Sequence, residues 1–362
     1  MEKYIFKINI KIILKLLSSI ALFIILYHVI ALNYHKRVGV ISLYHSQNVG
    51  NFLVKYSMFI KLKEFGFKPI IISTTKKKVN LDFLNKNIQF KIIKNNFSDE
   101  LNENNYDFLI VNSDQTWNSI QKQYLYDYGF LKFAENWKTP KFIYATSLGV
   151  DYWKYSKNFD EIAKRLLKNF TGISVREIGA VNLVEKHLGI KPVFVLDPTF
   201  LIEKKYYLNL IKDYKKNFNL NLKYLFIYQL DKNSIMEDFI NRIAKNLNFT
   251  IYRVELEKNN FVENFIFGIN ISSAVITDSF HGTLFSIIFN KSFISFINTF
   301  RGRDRFFSLI KTFNLKNRII FPNKTIEPNY SLLTKPLNLN RTLLNYLKNV
   351  SINYLKKNLH IN

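Results

Sequence analysis

The sequence predicts an α/β protein built from two parallel-sheet halves that face each other across a cleft. Three observations predict it. From Val38 onward, short β-branched apolar runs alternate with stretches whose apolar residues recur at helical spacing, the strand-then-helix order of a parallel sheet with right-handed crossovers. That order occurs in two series, separated by a helical, lysine-rich stretch from about Glu203 to Phe218. Several of the runs end in polar clusters, where the ligand-facing edge of an open sheet would lie.

Composition agrees with two packed domains. A chain of 362 residues, 48% of them hydrophobic, exceeds the roughly 100–200 residues of a typical domain. The absence of cysteine excludes disulfides and thiolate metal sites and permits a reducing compartment. The six histidines form no close pair at helical spacing, so no zinc site is recognisable and a reaction without metal or bound cofactor is expected. A net charge of +25 would point to nucleic acid or anionic lipid if it were concentrated. The lysines are scattered instead, and no zinc-finger or RNA-binding signature accompanies them. Nucleic acid is therefore not an expected partner.

Residues 1–35 differ from the rest. Lys3, Lys7, Lys11 and Lys15 drift round one face of a helix while Ile5, Ile8, Ile12 and Leu16 take others, giving a basic amphipathic helix. It runs into the uncharged segment Leu16 to Leu32, about 25 Å long as a helix and slightly short of a bilayer's hydrocarbon core. No small-x-small cleavage site closes it, which argues against a signal peptide.

Residues 36–202 read as a first domain. Val38 to Leu43 is a strand, followed by a polar turn, by Gly50 and Asn51, and by a helix that turns Phe52, Leu53, Tyr56, Phe59 and Ile60 inward and stops at Gly66. Asn48 and Asn51 lie at that helix's N-terminus, where capping or substrate contact would serve equally. Pro69 to Ser73 and Phe108 to Asn112 are further strands. The latter ends in the polar cluster Ser113 to Asn118, where Asp114 is either a cap or a hydroxyl ligand, and Trp117 either a stacking platform for a sugar or a buried indole. Lys141 to Ser147, Gly172 to Val175 and Val193 to Leu196 complete this series. The second of them runs into Arg176-Glu177 and a helix, and the last precedes Asp197-Pro198, a turn.

Residues 203–337 form the second domain, with strands at Tyr224 to Tyr228, Thr250 to Val254, Ala274 to Thr277 and Phe293 to Ile297 and helices near Ile235 to Leu247 and Leu284 to Asn290. A last helix, within 338–362, has apolar spacing suited to packing back across the halves. The chemistry concentrates at AVITDSFHGTLFSIIFN, Ala274 to Asn290. There a strand turns directly into a helix through Asp278, Ser279, His281 and Gly282. Asp278 or Ser279 can cap the helix, and its N-terminal N–H groups and dipole suit a phosphate or carboxylate. An ordinary capped helix with an exposed histidine would show the same residues.

From about Arg37 to Arg318 the chain resembles the polysaccharide pyruvyl transferase family. The resemblance rests on HSQNVGN at His45 to Asn51, NSDQTWN at Asn112 to Asn118, SVRE at Ser174 to Glu177, LDPT at Leu196 to Thr199, TDSFHGTLFSIIFNKSF at Thr277 to Phe293 and RGRDRF at Arg301 to Phe306, in that order and spacing. It implies two Rossmann-like domains arranged as in the GT-B glycosyltransferases. The implied reaction moves a pyruvyl group from phosphoenolpyruvate, as co-substrate, to two hydroxyls of a cell-surface saccharide or lipid-linked glycan, giving a pyruvate ketal. Such a reaction needs a proton donor, bases and cations for the donor's phosphate and carboxylate. His281 is the acid/base candidate, since an unperturbed imidazole titrates near neutrality. Arg176, with its planar fork, is the leading cation. Family members with demonstrated activity commonly carry an arginine two residues before the histidine; here that residue is Ser279, and Arg301, Arg303 or Arg305 could supply the charge. The competing expectations are a GT-B glycosyltransferase using a nucleotide sugar and a noncatalytic protein that binds an acidic glycan.

A cytoplasmic donor fixes the expectation for residues 1–35. The lysines before the apolar segment outnumber those after it, so a spanning helix would place the domains outside the cytoplasm. An anchor lying in the inner leaflet, lysines at anionic headgroups, keeps them inside. The full-length protein is then expected to sediment with membranes after lysis. Recovery in the soluble fraction, with residues 1–35 shielded from protease by the domains, would mean that this helix docks on the protein itself.

Overall fold

The computed structural model describes residues 35–43, 48–74, 81–118, 125–214, 218–219, 221–254, 260–322, 327 and 329–361. The expected anchor at 1–35 lies outside them except for His35, as does His45 of the first motif. Among the described residues, no helix is long and apolar enough to cross a membrane.

Two all-parallel sheets carry the fold. The first contains β1 (Arg37–Ile41), β2 (Lys68–Ser73), β3 (Phe90–Ile92), β4 (Phe108–Val111), β5 (Lys141–Thr146), β6 (Phe170–Val175) and β7 (Val193–Phe194), in the order β3-β2-β1-β4-β5-β6-β7. The second contains β8 (Tyr224–Tyr228), β9 (Thr250–Arg253), β10 (Ala274–Thr277), β11 (Ser292–Phe296) and β12 (Ile319–Ile320), in the order β12-β11-β10-β8-β9. Every residue of β4, β5, β8, β10 and β11 is buried. Helices on both faces of a parallel sheet require that, and it explains the continuous apolar runs. Lys141 within β5 is tolerated because its ammonium donates to the carbonyls of Ala134 and Trp137, at 2.6 and 3.0 Å.

Strand order reverses between β1 and β4 in the first sheet and between β8 and β10 in the second. Crevices outside the carboxyl ends of strands at such reversals are where open α/β sheets take ligands. The Val49–Glu64 helix leaves the first crevice and the Phe280–Ile288 helix leaves the second.

The Val49–Glu64 helix joins the two halves. Its residues 49–58 are all buried, so it is enclosed on every side rather than amphipathic. Phe52 meets Phe83 of its own half and Phe261 of the other edge-on, at 5.8 and 5.3 Å between ring centroids. Ser57 bonds the Tyr207 hydroxyl at 2.7 Å. One apolar core therefore runs from β1 through this helix into the Phe261–Ile271 helix and β8.

The last helix, Arg341–Asn358, returns to the first sheet. Ser351 Oγ accepts from the Leu196 N–H at 2.9 Å, and the Tyr354 hydroxyl donates to the Ile143 carbonyl at 2.7 Å. Three details depart from the sequence reading. Among its described residues, the stretch expected to be helical from Glu203 to Phe218 is an α-helix only over Lys204–Asn209. The edge strands β3 and β12, three and two residues long, are too short to leave a period-2 signal. The Phe261–Ile271 helix is apolar on nearly every face and so shows no stripe.

Ser351→Ala is expected to cost about 1–3 kcal/mol, because it strands the Leu196 N–H in the interior. A lowered urea midpoint without a change in slope would show it.

Candidate active site

The site is assembled around a buried guanidinium. Arg176 follows β6 directly, and only 1% of its side chain is exposed. Nη1 donates to Asp197 Oδ2 at 2.7 Å and to Ser113 Oγ at 3.2 Å, while Nη2 donates to Asp114 Oδ1 at 3.2 Å. Nε lies 3.5 Å from Glu177 Oε1. Burial alone would push the Arg176 proton off, but Asp197, Asp114 and Glu177 more than reverse this and hold it firmly charged. Its partners follow β4, β6 and β7, so three strand ends on one edge of the first sheet supply one charge cluster.

His281 enters from the other half, in the first turn of the Phe280–Ile288 helix. Its Nε2 lies 3.7 Å from Asp197 Oδ2, too far for a hydrogen bond, and is buried without a hydrogen-bond partner among the described residues. The other side of the ring rests on Gly50, where a Cβ would sit 2.0 Å from Nδ1. The histidine is thus enclosed between the two halves, not solvated. Asp197, read in the sequence as a turn former, does two jobs. Oδ1 accepts from the Thr199 N–H and hydroxyl at 3.0 and 2.8 Å, which leaves Oδ2 for Arg176 and His281. Burial opposes its ionisation, but the nearby His281 imidazole and the Arg176 guanidinium hold its carboxyl well below the usual range.

Two buried groups that titrate near neutrality complete the cluster. Burial raises the Glu177 carboxyl to about 7, despite Arg176 beside it, and both its oxygens lack hydrogen-bond partners among the described residues. Burial lowers the Lys55 ammonium to about 7, against the pull of Asp114; its Nζ donates to the side chain and carbonyl of Asn51. The sequence carried a signal for Lys55, a single cation one helical turn after Asn51 among Phe52, Leu53 and Tyr56. A third basic side chain, Arg305, is 7% exposed and donates to the carbonyls of Arg301 and Gly302. Burial, with Arg176 nearby, lowers it to about 10. Arg176 and Arg305 lie 5.1 and 4.8 Å from the Phe280 ring centroid, and the ring's electron-rich face eases the approach of the two like charges.

The remaining predicted residues divide clearly. Asn48 caps the Val49–Glu64 helix, accepting from Gly50 N–H at 2.9 Å, and Ser279 caps the Phe280–Ile288 helix, accepting from Gly282 N–H at 3.2 Å. Both helices therefore begin at the cluster. Gly282 lets its helix close on β10, since a Cβ there would meet Thr277 Oγ1 at 2.3 Å. Asp278 is not the cap. It binds the Leu230 and Asp231 N–H groups at 2.6 and 3.0 Å and ties the end of β10 to that of β8. Trp117 offers no platform for a sugar. It is 1% exposed, stacks on Phe130 at 4.9 Å and donates to the Gly129 carbonyl at 2.8 Å, because the turn after β4 folds inward. Arg301 is exposed and locked to Asp231 by two bonds of 2.6 and 2.8 Å, and Arg303 pairs with Asp151 at 3.2 Å. Of the three loop arginines, Arg305 is the one brought into the cluster.

Asp114 is the opening. Its side chain is 20% exposed, against 2% for Asp197 and none for Glu177. Its φ of 137° is one that an L-residue adopts only when its surroundings force it, a strain that concentrates at functional sites. Among the described residues no group of three or more His, Asp or Glu side chains could hold a metal ion.

Glu177 sets a pH dependence whose sign can be worked out. Unfolded, it releases its proton near 4.5; folded, near 7. Between those values the folded chain binds the extra proton, so this residue's contribution to stability falls as pH rises from 4.5 to 7. Glu177→Gln, neutral throughout, is expected to flatten that part of a plot of melting temperature against pH.

Comparison with solved structures gives the fold independently. An S. aureus MnaA–UDP structure superposes with a TM-score of 0.53 at 13% identity, over 90% of this chain and 98% of that one. A Neisseria meningitidis UDP-GlcNAc 2-epimerase bound to UDP-GlcNAc gives 0.53 at 11%, over 89% and 100%. The enzyme of that name from Methanocaldococcus jannaschii gives 0.52 at 12%, over 89% and 99%. These likenesses establish two Rossmann-like domains in a GT-B-like arrangement. No curated protein matches the sequence. The family model described as polysaccharide pyruvyl transferase matches residues 48–299, more than two thirds of the chain and every strand end that builds the cluster. The chain therefore belongs to the polysaccharide pyruvyl transferase family.

Proposed function

We propose that this chain transfers a pyruvyl group from phosphoenolpyruvate to two hydroxyls of a cell-surface saccharide, forming a ketal and releasing phosphate. The observation that carries the reading is the meeting of His281 and Arg176 at one carboxylate, Asp197, from opposite halves. In the reaction C3 of the donor takes a proton, one hydroxyl oxygen bonds to C2, the C2–O bond to phosphate breaks with its electron pair leaving on phosphate, and the second hydroxyl closes on C2. The two hydroxyl protons account for the one gained at C3 and the one that leaves with phosphate.

His281 is the proton carrier, its Nε2 buried and unengaged. Glu177 and Lys55, both titrating near 7, can give or take a proton at working pH. Arg176 keeps most of its donors on carboxylates, so its part is to position Asp197 and Asp114. Arg305 and Lys55, with the N-termini of the Val49–Glu64 and Phe280–Ile288 helices, provide positive charge for the donor. Ser279 is buried as a cap, and Arg305 takes the role that an arginine two residues before the histidine would have. The proposed location is the inner face of the membrane, on the side of a cytoplasmic donor, with residues 1–35 as the attachment.

Full-length protein incubated with phosphoenolpyruvate and extracted cell-surface glycans should release phosphate and yield an acid-labile ketal visible by mass spectrometry. His281→Ala should lower turnover by about a hundredfold or more with folding intact. Nucleotide release from a sugar nucleotide, with phosphoenolpyruvate untouched, would identify a glycosyltransferase instead. Arg176→Ala is a poor probe of chemistry here. It would leave Asp197 and Asp114 buried and unpaired, a loss of about 3–5 kcal/mol.

A further inference from the structure

Asp114 is the most exposed carboxylate of the cluster, so an acceptor that reaches the cluster does so on the Asp114 side. A cavity of about 310 Å³ lies between the two halves, walled on one side by residues 149–154, after β5, and on the other by residues 299–303, after β11. Two of the most exposed large aromatic side chains of the protein, Phe300 at 89% and Tyr152 at 53%, line it. Leaving a phenylalanine almost wholly in water is unfavourable unless something covers it.

The polar lining is of the complementary kind. Asp151 accepts and Arg303 donates, the two already oriented by their 3.2 Å pair, and Lys154 holds its ammonium 5.0 Å from the Tyr152 ring. A pyranose presents apolar C–H faces and a rim of hydroxyls, and so needs this combination of aromatic face and mixed donors and acceptors.

One layer of residues links the cavity to the cluster. Gln115 donates its backbone N–H to Asp114 at 2.9 Å and its side-chain amide to the Arg301 carbonyl at 2.9 Å. Gly302, at φ +97°, brings the two walls together; a Cβ there would lie 3.0 Å from the Gly149 carbonyl. Its own carbonyl accepts from Arg305 at 3.2 Å. A single layer of residues thus separates the cavity from Asp114 and Arg305.

We infer that this cavity is the acceptor subsite, in which one hexose or hexosamine ring stacks on Phe300 and presents its hydroxyls toward Asp114, past Asp151 and Arg303. The inference rests on the pyruvyl-transfer reading for the word acceptor; that a pyranose binds here stands without it.

The test uses full-length protein and three probes, methyl β-D-galactopyranoside, methyl β-D-glucopyranoside and N-acetyl-D-glucosamine, followed by saturation-transfer NMR. At least one ring should bind. Phe300→Ala, whose side chain is too exposed to matter for folding, should weaken it by about tenfold, the loss of one stacking partner, and Asp151→Asn should also weaken it. Tyr346→Ala, which removes another exposed aromatic outside the cavity, should bind the sugar as wild type does. No binding by any of the three, or binding unchanged in Phe300→Ala, overturns the subsite. The donor is scored separately by phosphate release. Sugar binding that depends on Phe300 in a protein that leaves phosphoenolpyruvate intact removes the donor and keeps the subsite. Ketal formation with the same acceptor KM in Phe300→Ala does the reverse.

Discussion

A guanidinium kept out of water is the constraint on which the rest of this structure depends. Arg176 stays charged in the interior only because Asp197, Asp114 and Glu177 surround it, and an uncompensated buried charge would cost several kcal/mol. Those groups come from the ends of β4, β6 and β7, so the register of the first sheet decides whether the charges meet. Asp197 spends one oxygen on its own turn and the other on Arg176 and His281. The same electrostatics that stabilise the first half therefore define where the imidazole of the second half must come.

The joint between the halves looks less like a free hinge than like a shared interior. The Val49–Glu64 helix is packed by both halves, and its Gly50 gives the His281 ring its place. Motion that opened the halves widely would pull Phe52 from Phe261 and the imidazole from Gly50. The more local device is the loop after β11. It crosses to the first half through Gln115 and Asp151, by contacts that are exposed.

Much of this was legible in the sequence. The strands Tyr224–Tyr228 and Ala274–Thr277 can be read residue for residue, because β-branched and aromatic runs bounded by polar turns leave little choice. So can the turn that carries His281, because strand and helix periodicities meet there without a linker. Other features need the third dimension. Trp117 reads equally well as platform or core, and only the inward fold of its turn, with Phe130 waiting, decides. Glu177 looks like an ordinary charged residue before a helix, and the apolar neighbours of Lys55 mark its burial but not its charge partners; enclosure in the folded chain brings both to titrate near neutrality. The Phe261–Ile271 helix hides because a helix buried all round has no apolar stripe. Among the loop arginines, the one that turns inward is set by the helix starting at Asp304, which places Arg305 one residue inside its first turn.

The returning C-terminal helix carries a consequence for biosynthesis. The Leu196 N–H and the Ile143 carbonyl find their partners 155 and 211 residues further along. A nascent chain leaves the ribosome in order, so the first sheet must wait through translation of the whole second domain with its underside uncovered. Its early compact state is incomplete by construction, and this late-emerging helix acts as the latch on a sheet whose strands end at Phe194.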